Sequence, residues 1–410
     1  MTQMQPPLET SPSEPRNLPE SAVPARGGPS MGRLVGVDLA RGLAVFGMYI
    51  VHIGPPLSAT DGVASWVRYL ADGHSSVLFA TLAGFSLILI AGRRKPKTGL
   101  AGRQAKARIA IRAVVLLALG TALSMEYGDV IILAFYGVYF LLALPLVRLR
   151  ARTLAMIAAG LAVVTPQLAF GLKSLLSESV QQSVNAYDPL EKLSDVGVLD
   201  LLLTGFYPTI TWMPFVVAGM ALARLDLSAT TVQRRLAALG AALTVAAYGM
   251  SLLLAGKDAL RSTAEGGKSS AGSEAASSAS GFFDGQGSAS ELLSAGPHSG
   301  TTFDIIGSVG VAILVIVCAT VLMDRLPLLH RLAKPIIAVG AMSLTAYVGH
   351  FVVQSAAGIL TGESSQVSWG PVLTFILGAI VFAALWSRFF RRGPLEYLLN
   401  AATKPAKYIR

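Results

Sequence analysis

One cysteine, Cys318, occurs among 410 residues. An intrachain disulfide is therefore excluded, and so is a metal site built on cysteine pairs. Charge is scarce too. Asp, Glu, Lys and Arg make up 14% of the chain, where a soluble globular domain carries about 25%. No Walker loop, zinc-protease helix, nucleophile elbow or dinucleotide fingerprint occurs. No group of His, Asp and Glu has metal-ligand spacing, so no metal is expected. Residues 1–32 contain no apolar run and are rich in Pro and Ser. Such a segment cannot bury enough surface to fold and reads as a disordered cytoplasmic tail. It is unlike a secretory signal, which needs a hydrophobic stretch after its charges.

What the chain has in abundance is apolar residues, 53% of the total, with a mean hydropathy of +0.59. They gather in runs of bilayer length, and the expectation is an all-α, polytopic membrane helix bundle of about ten transmembrane helices. The spans fall near 34–53, 75–92, 110–125, 130–147, 153–172, 201–223, 235–255, 304–323, 335–360 and 371–388. The net charge of +10 does not point to nucleic acid, because the basic residues sit in short loops between apolar runs. These loops alternate with loops poor in Lys and Arg. The positive-inside rule then predicts an inner-membrane protein with both termini in the cytoplasm and with His52, His74 and His298 near the outer face. A Ser-, Gly- and Ala-rich stretch reads as a flexible extracytoplasmic loop over 256–303. It separates a seven-span region, 33–255, from a three-span region, 304–403. No internal repeat is visible.

The first span reads LVGVDLARGLAVFGMYIVHI and carries Asp38, Arg41 and His52. At about 100° per residue, Arg41 and His52 are three turns apart to within roughly 20°, and Asp38 lies about 40° from His52. One polar stripe thus runs along the helix, and charges inside a membrane are a functional signal by default. Asp38 and Arg41 are three residues apart and can meet. They form either a self-neutralising pair that packs the bundle or a device in which Arg41 orients an anionic group. His52 ends the span before Gly54-Pro55-Pro56 and is either an interfacial residue or a general base or acyl-accepting nucleophile. His74, followed by Ser75 and Ser76, opens span two and has a capping role as its plain alternative. Gly84 marks a close helix approach. Tyr207 and Trp212 at the start of span six are interfacial aromatics or part of a cavity freed by Pro208 and Pro214. PHSGTTFD brings His298 and Asp304 to the mouth of span eight, as a sugar-contact patch or a loop-closing turn. Tyr347, His350 and Gln354 share a face of span nine, as helix glue or as part of a site.

The block GVDLARGLAVFGMYIVHIG resembles the opening helix of the transmembrane acyltransferases related to heparan-α-glucosaminide N-acetyltransferase. It is similar also to the bacterial YeiB-like membrane proteins. AVGAMSLTAYVGHFVVQS (338–355) and WSRFFRRGPLEYLLNAAT (386–403) resemble the terminal domain of the YeiB-like group. With LFATLAGFSL and TGFYPTITWMPFVVAGMAL, the resemblance covers most of residues 33–403. It implies transfer of an acetyl group from cytoplasmic acetyl-CoA to a glucosamine on the far side, with a His involved. Arg41 and His52 also have the Arg, ten residues, His spacing of bacterial sugar O-acyltransferases. Heparan-type and YeiB-like first helices often carry Asn at the place of His52, which keeps His74 and then His298 as alternatives.

The expectation is a membrane acyltransferase using acetyl-CoA or another acyl-CoA as co-substrate. Its catalytic candidates are His52, His74, Arg41 and Asp38. Arg41, Arg93, Arg94 and Lys95 are candidates for the cofactor's anionic groups. Tyr207, His298 and His350 are candidates for an extracytoplasmic sugar or glycolipid acceptor. Membrane lipid is a partner, nucleic acid is not, and a homodimer is compatible with the sequence. The competing readings are a multi-pass transporter of a small solute, in which the same stripe forms a pathway, and a non-catalytic envelope scaffold.

Overall fold

A computed structural model describes residues 34–260, 289–361 and 368–409. The tail 1–32 and most of the Ser/Gly stretch lie outside the described residues. From Val35 onward the described residues form one compact unit. The regular structure of the described residues is all helical, with no strand among them. The helices are α1 Val35–Ile53, α2 Gly62–Ala71, α3 His74–Ala91, α4 Gly99–Tyr127, α5 Ile132–Ala143, α6 Ala151–Leu175, α7 Glu178–Tyr187, α8 Pro189–Ser194, α9 Thr209–Ala223, α10 Thr230–Ala255, α11 Thr302–Arg325, α12 Pro327–Ala341, α13 Ser343–Thr361, α14 Gly370–Phe389 and α15 Pro394–Ala402.

The expected ten spans are too many. Among the described residues, seven helices are long and apolar enough to cross a bilayer, and eight if α12 and α13 count as one bent span. The excess arises in spans four and six. There α5 has 12 residues and α9 has 15, about 18 and 22 Å of helix against a hydrocarbon core of about 30 Å. The apolar runs continue past these helices, but the helices do not. A short 3-10 turn at Leu146–Arg148 follows α5, and a π-turn at Asp200–Thr204 precedes α9. Both helices are apolar on every face because they are buried on nearly every face. They are the middle of the bundle.

Around them α3 packs along α9, α4 on α5, α6 on α9, α10 on α11, and α12 along α1. The outer faces of α4, α6, α10 and α14 expose Val114, Val164, Val245 and Leu373, as expected of helices that meet lipid. Gly84 is where α3 and α9 touch. A Cβ there would lie 1.9 Å from the Val216 carbonyl oxygen. No side chain fits, and the sequence expectation of close approach holds.

Two local features set the site. Gly73 turns the chain into α3 with φ +68, a conformation that favours glycine, and a Cβ on it would meet Pro297 at 2.8 Å. The loop before α11 is thereby laid against the start of α3. The second feature is the 76° bend between α12 and α13. A helix start leaves N–H groups without partners. Glu396 of α15 supplies them. Its carboxylate accepts from the Leu344 N–H at 2.7 Å, from the Thr345 N–H at 3.2 Å and from the Thr345 hydroxyl at 2.5 Å.

The edges of the expected 256–303 linker are more ordered than its composition implies. The Ala295 N–H donates to the Ala259 carbonyl at 2.8 Å, and Ser251 of α10 donates to the Leu293 carbonyl at 2.6 Å. Ser299 and Thr301 are buried.

Candidate functional site

The stripe on α1 faces the protein. Asp38 is 7% exposed, and the Arg41 guanidinium donates to it at 2.9 Å. The other arm of that guanidinium donates to the Ser86 hydroxyl of α3 at 2.7 Å. Farther along, the Tyr49 hydroxyl donates to the Ala346 carbonyl of α13 at 2.8 Å. Near the end of α1, His52 Nδ1 lies 2.9 Å from His350 Nε2. The two rings are near parallel, 13° apart, with centroids 5.1 Å apart. His350 is 2% exposed, and its Nδ1 donates to the Tyr347 carbonyl. Tyr49, Tyr347 and Phe351 pack around it.

His74 occupies a second position at the same end of the bundle. Its Nδ1 donates to the Asp72 carbonyl at 3.0 Å, and its Nε2 lies 2.9 Å from the Tyr248 hydroxyl of α10. Tyr248 is 3.2 Å from the Ser308 hydroxyl, which is 3.0 Å from an Asp304 carboxylate oxygen. Because a carbonyl only accepts, His74 Nδ1 carries a hydrogen. These contacts run in series from His74 Nε2 to the Asp304 carboxyl by way of two hydroxyls. Asp304 is held by the loop as well, accepting from the Gly300 N–H at 3.0 Å.

His298 sits beside this network. Its backbone is left-handed, φ +61, which is uncommon for a side-chain-bearing residue. Its ring contacts Phe206 and Tyr207 and stacks on Trp212. Its Nδ1 is buried with no hydrogen-bond partner. Burial pushes its pKa down to about 4; Asp72 opposes that shift, and His74 and Arg68 add to it. The Tyr207 hydroxyl is pushed well above its usual range by burial. His52, His74, His298, His350 and Tyr207 therefore cluster at one end, while Asp38 and Arg41 lie deeper along α1.

The basic candidates lie elsewhere, beyond the other end of α3. Arg93 donates to the Leu225 carbonyl at 3.3 Å, and Arg94 pairs with Asp226. Lys95 is exposed. Arg93's pKa is lowered by burial and then by its neighbour Arg94, while Asp226 is held down by its bonds to Ser228 and Arg94. Sequence reasoning missed Arg224, whose guanidinium donates to the carbonyls of Gly92, Arg93 and Val147 and ties three loops together. It also missed Tyr248, whose only sequence signal is a phenol inside an apolar run.

Residues 33–261, more than half of the chain, match the family described as Heparan-alpha-glucosaminide N-acetyltransferase, catalytic. The chain belongs to this family. Residues 285–405 match a second family, described as Protein of unknown function (DUF418), which is the YeiB-like group. Asp38, Arg41, His52 and His74 fall in the first match, and His298 and His350 in the second. The histidine pair is thus made by one residue from each. No curated protein matches the chain.

Proposed function

We propose that this membrane protein is an acyltransferase that moves an acyl group, acetyl in the first instance, from acyl-CoA on the cytoplasmic side to a sugar or glycolipid on the other side. The observation that carries this reading is the inward polar seam of α1, with Arg41 anchored by Asp38 and Ser86 and His52 paired to His350. The two ends are about 16 Å apart along the axis. That is a distance a pantetheine arm covers while the nucleotide stays outside the membrane. Lys95 and Arg94, both exposed at the basic end, suit the donor's phosphates. The residues around His298, with Trp212, Phe206 and Tyr207, suit a sugar ring, whose apolar face stacks on aromatics.

In the reaction, His52 takes a proton from the acceptor hydroxyl or amine. The freed oxygen or nitrogen attacks the thioester carbonyl. The C–S bond breaks, and the thiolate leaves with its electron pair and takes up the proton. Arg41 holds the donor's charged or polar end in register and does not itself transfer a proton.

The test is acetyl transfer by the full chain in proteoliposomes, with acetyl-CoA as donor and glucosamine as probe acceptor. His52→Ala is expected to lower transfer by at least about 100-fold, the usual contribution of a general base. Full transfer by His52→Ala would remove His52 from the mechanism. A wild-type chain that neither binds acetyl-CoA nor releases CoA would overturn the enzyme reading.

A further inference from the structure

We propose that His350 is the positioning residue that fixes the tautomer of His52, leaving the Nε2 lone pair of His52 as the reacting atom. On this reading the C-terminal helix pair is part of the transfer site. The Tyr347 carbonyl can only accept, so His350 Nδ1, which bonds to it, carries the hydrogen. A neutral imidazole has one N–H. His350 Nε2 therefore presents a lone pair. His52 Nδ1, 2.9 Å away, must be the donor, and the remaining nitrogen of His52 is the bare one. Which nitrogen of a histidine is protonated is set by the bond the other makes. In a Ser-His-Asp triad the third residue works the same way, holding the base in one tautomer and orientation.

The geometry is supported from several sides. Near-parallel rings and the packing of Phe351 against both imidazoles restrict rotation. The Tyr49 hydroxyl, bonded to the Ala346 carbonyl, ties α1 to α13 one turn before the histidine contact. Glu396 holds the start of α13, and the bend there sends His350 toward the end of α1. The contact joins residues 298 positions apart and bridges the two family matches.

The role assigned to the lone pair rests on the acyltransferase reading. The tautomer itself does not, and the experiment separates them. Nitrogen-15 NMR of the full chain, labelled at histidine and held in lipid nanodiscs, reports which ring nitrogens carry hydrogen. The chain has five histidines, and single substitutions assign them. In the wild type His52 is expected to show a protonated Nδ1 and a bare Nε2. His350→Phe keeps a ring but offers no acceptor, and should return His52 to a mixture of tautomers. His350→Gln sets an amide oxygen where Nε2 stood and should restore the wild-type pattern. Transfer, measured in parallel, should fall about tenfold or more in His350→Phe, the worth of one ordinary hydrogen bond, and recover in His350→Gln. A wild-type His52 that carries its hydrogen on Nε2 overturns the proposal, even if His350→Phe does not fold. So does a His52 pattern indifferent to His350→Phe. Tautomer control retained in a chain without transfer activity would instead leave the dyad standing and refute the enzymatic reading.

Discussion

Arg41 holds a carboxylate with one arm and a hydroxyl on a neighbouring helix with the other. A lysine has a single charged nitrogen and cannot reproduce that planar fork. Removing the guanidinium takes two charge-assisted hydrogen bonds out of the seam, one to the Asp38 carboxylate and one to the Ser86 hydroxyl. Arg41→Ala is therefore expected to destabilise the chain by about 1.5–3 kcal/mol, read as a lowered melting temperature in detergent. Arg41→Lys should recover most of the stability and little of the transfer. His298 gives a second residue-scale expectation. Its folded pKa, about 4, lies below the ordinary 6.5. Below pH 6.5 the unfolded chain takes up a proton that the folded chain refuses, so stability falls as the pH drops from about 6.5 toward 4. The loss is at most about 3 kcal/mol and is reduced by whatever water reaches the ring. His298→Phe should make the fall in melting temperature across that window smaller. At this scale the sequence was informative where partners are close in it. The three-residue step from Asp38 to Arg41 announces their ion pair, whereas nothing near Arg41 announces Ser86, and nothing near His52 announces His350.

Between elements, the decisive joint is the break after α12. Glu396 serves as the cap that a continuous helix would have provided for itself. Glu396→Ala should cost about 1–2 kcal/mol, as other lost helix caps do, and should also reduce transfer because the start of α13 carries His350 toward His52. Glu396→Gln keeps an acceptor oxygen and should sit between the two. Hydrogen exchange at Leu344 and Thr345 would report the loss directly, and unchanged protection there would show that the cap is not what holds the bend. Hydropathy could not reveal this joint, because the apolar run crosses it. The same blindness produced the excess spans. Around α5 and α9 the sequence is apolar because those helices are enclosed by others, and the run lengths there record burial in protein as well as lipid. Amphipathic α2 escaped for the opposite reason. Its exposed Val63, Trp66 and Leu70 occupy too short a stretch to register as a span.

For the molecule as a whole, charge and chemistry are segregated along the bundle. Arg93, Arg94 and Lys95 sit at one end of α3, and His74 begins the other. The C-terminal segment lies with the basic end, since Gln104 near the start of α4 donates to the Lys407 and Ile409 carbonyls at 3.1 and 3.3 Å. The orientation we propose, on the attraction of basic loops to an anionic inner leaflet, puts that basic end in the cytoplasm, on the side of the proposed acyl-CoA donor. Orientation is therefore a condition of the proposed chemistry. With Cys318 replaced by Ser, a single cysteine can be placed at Ser58 or at Lys95, both exposed and on opposite sides of α1 and α3. In intact cells an impermeant maleimide should label Ser58→Cys directly and Lys95→Cys only after the membrane is opened. The reverse pattern would put the basic loop outside and the histidine cluster inside, and a cytoplasmic thioester could then no longer reach His52 by way of Arg41.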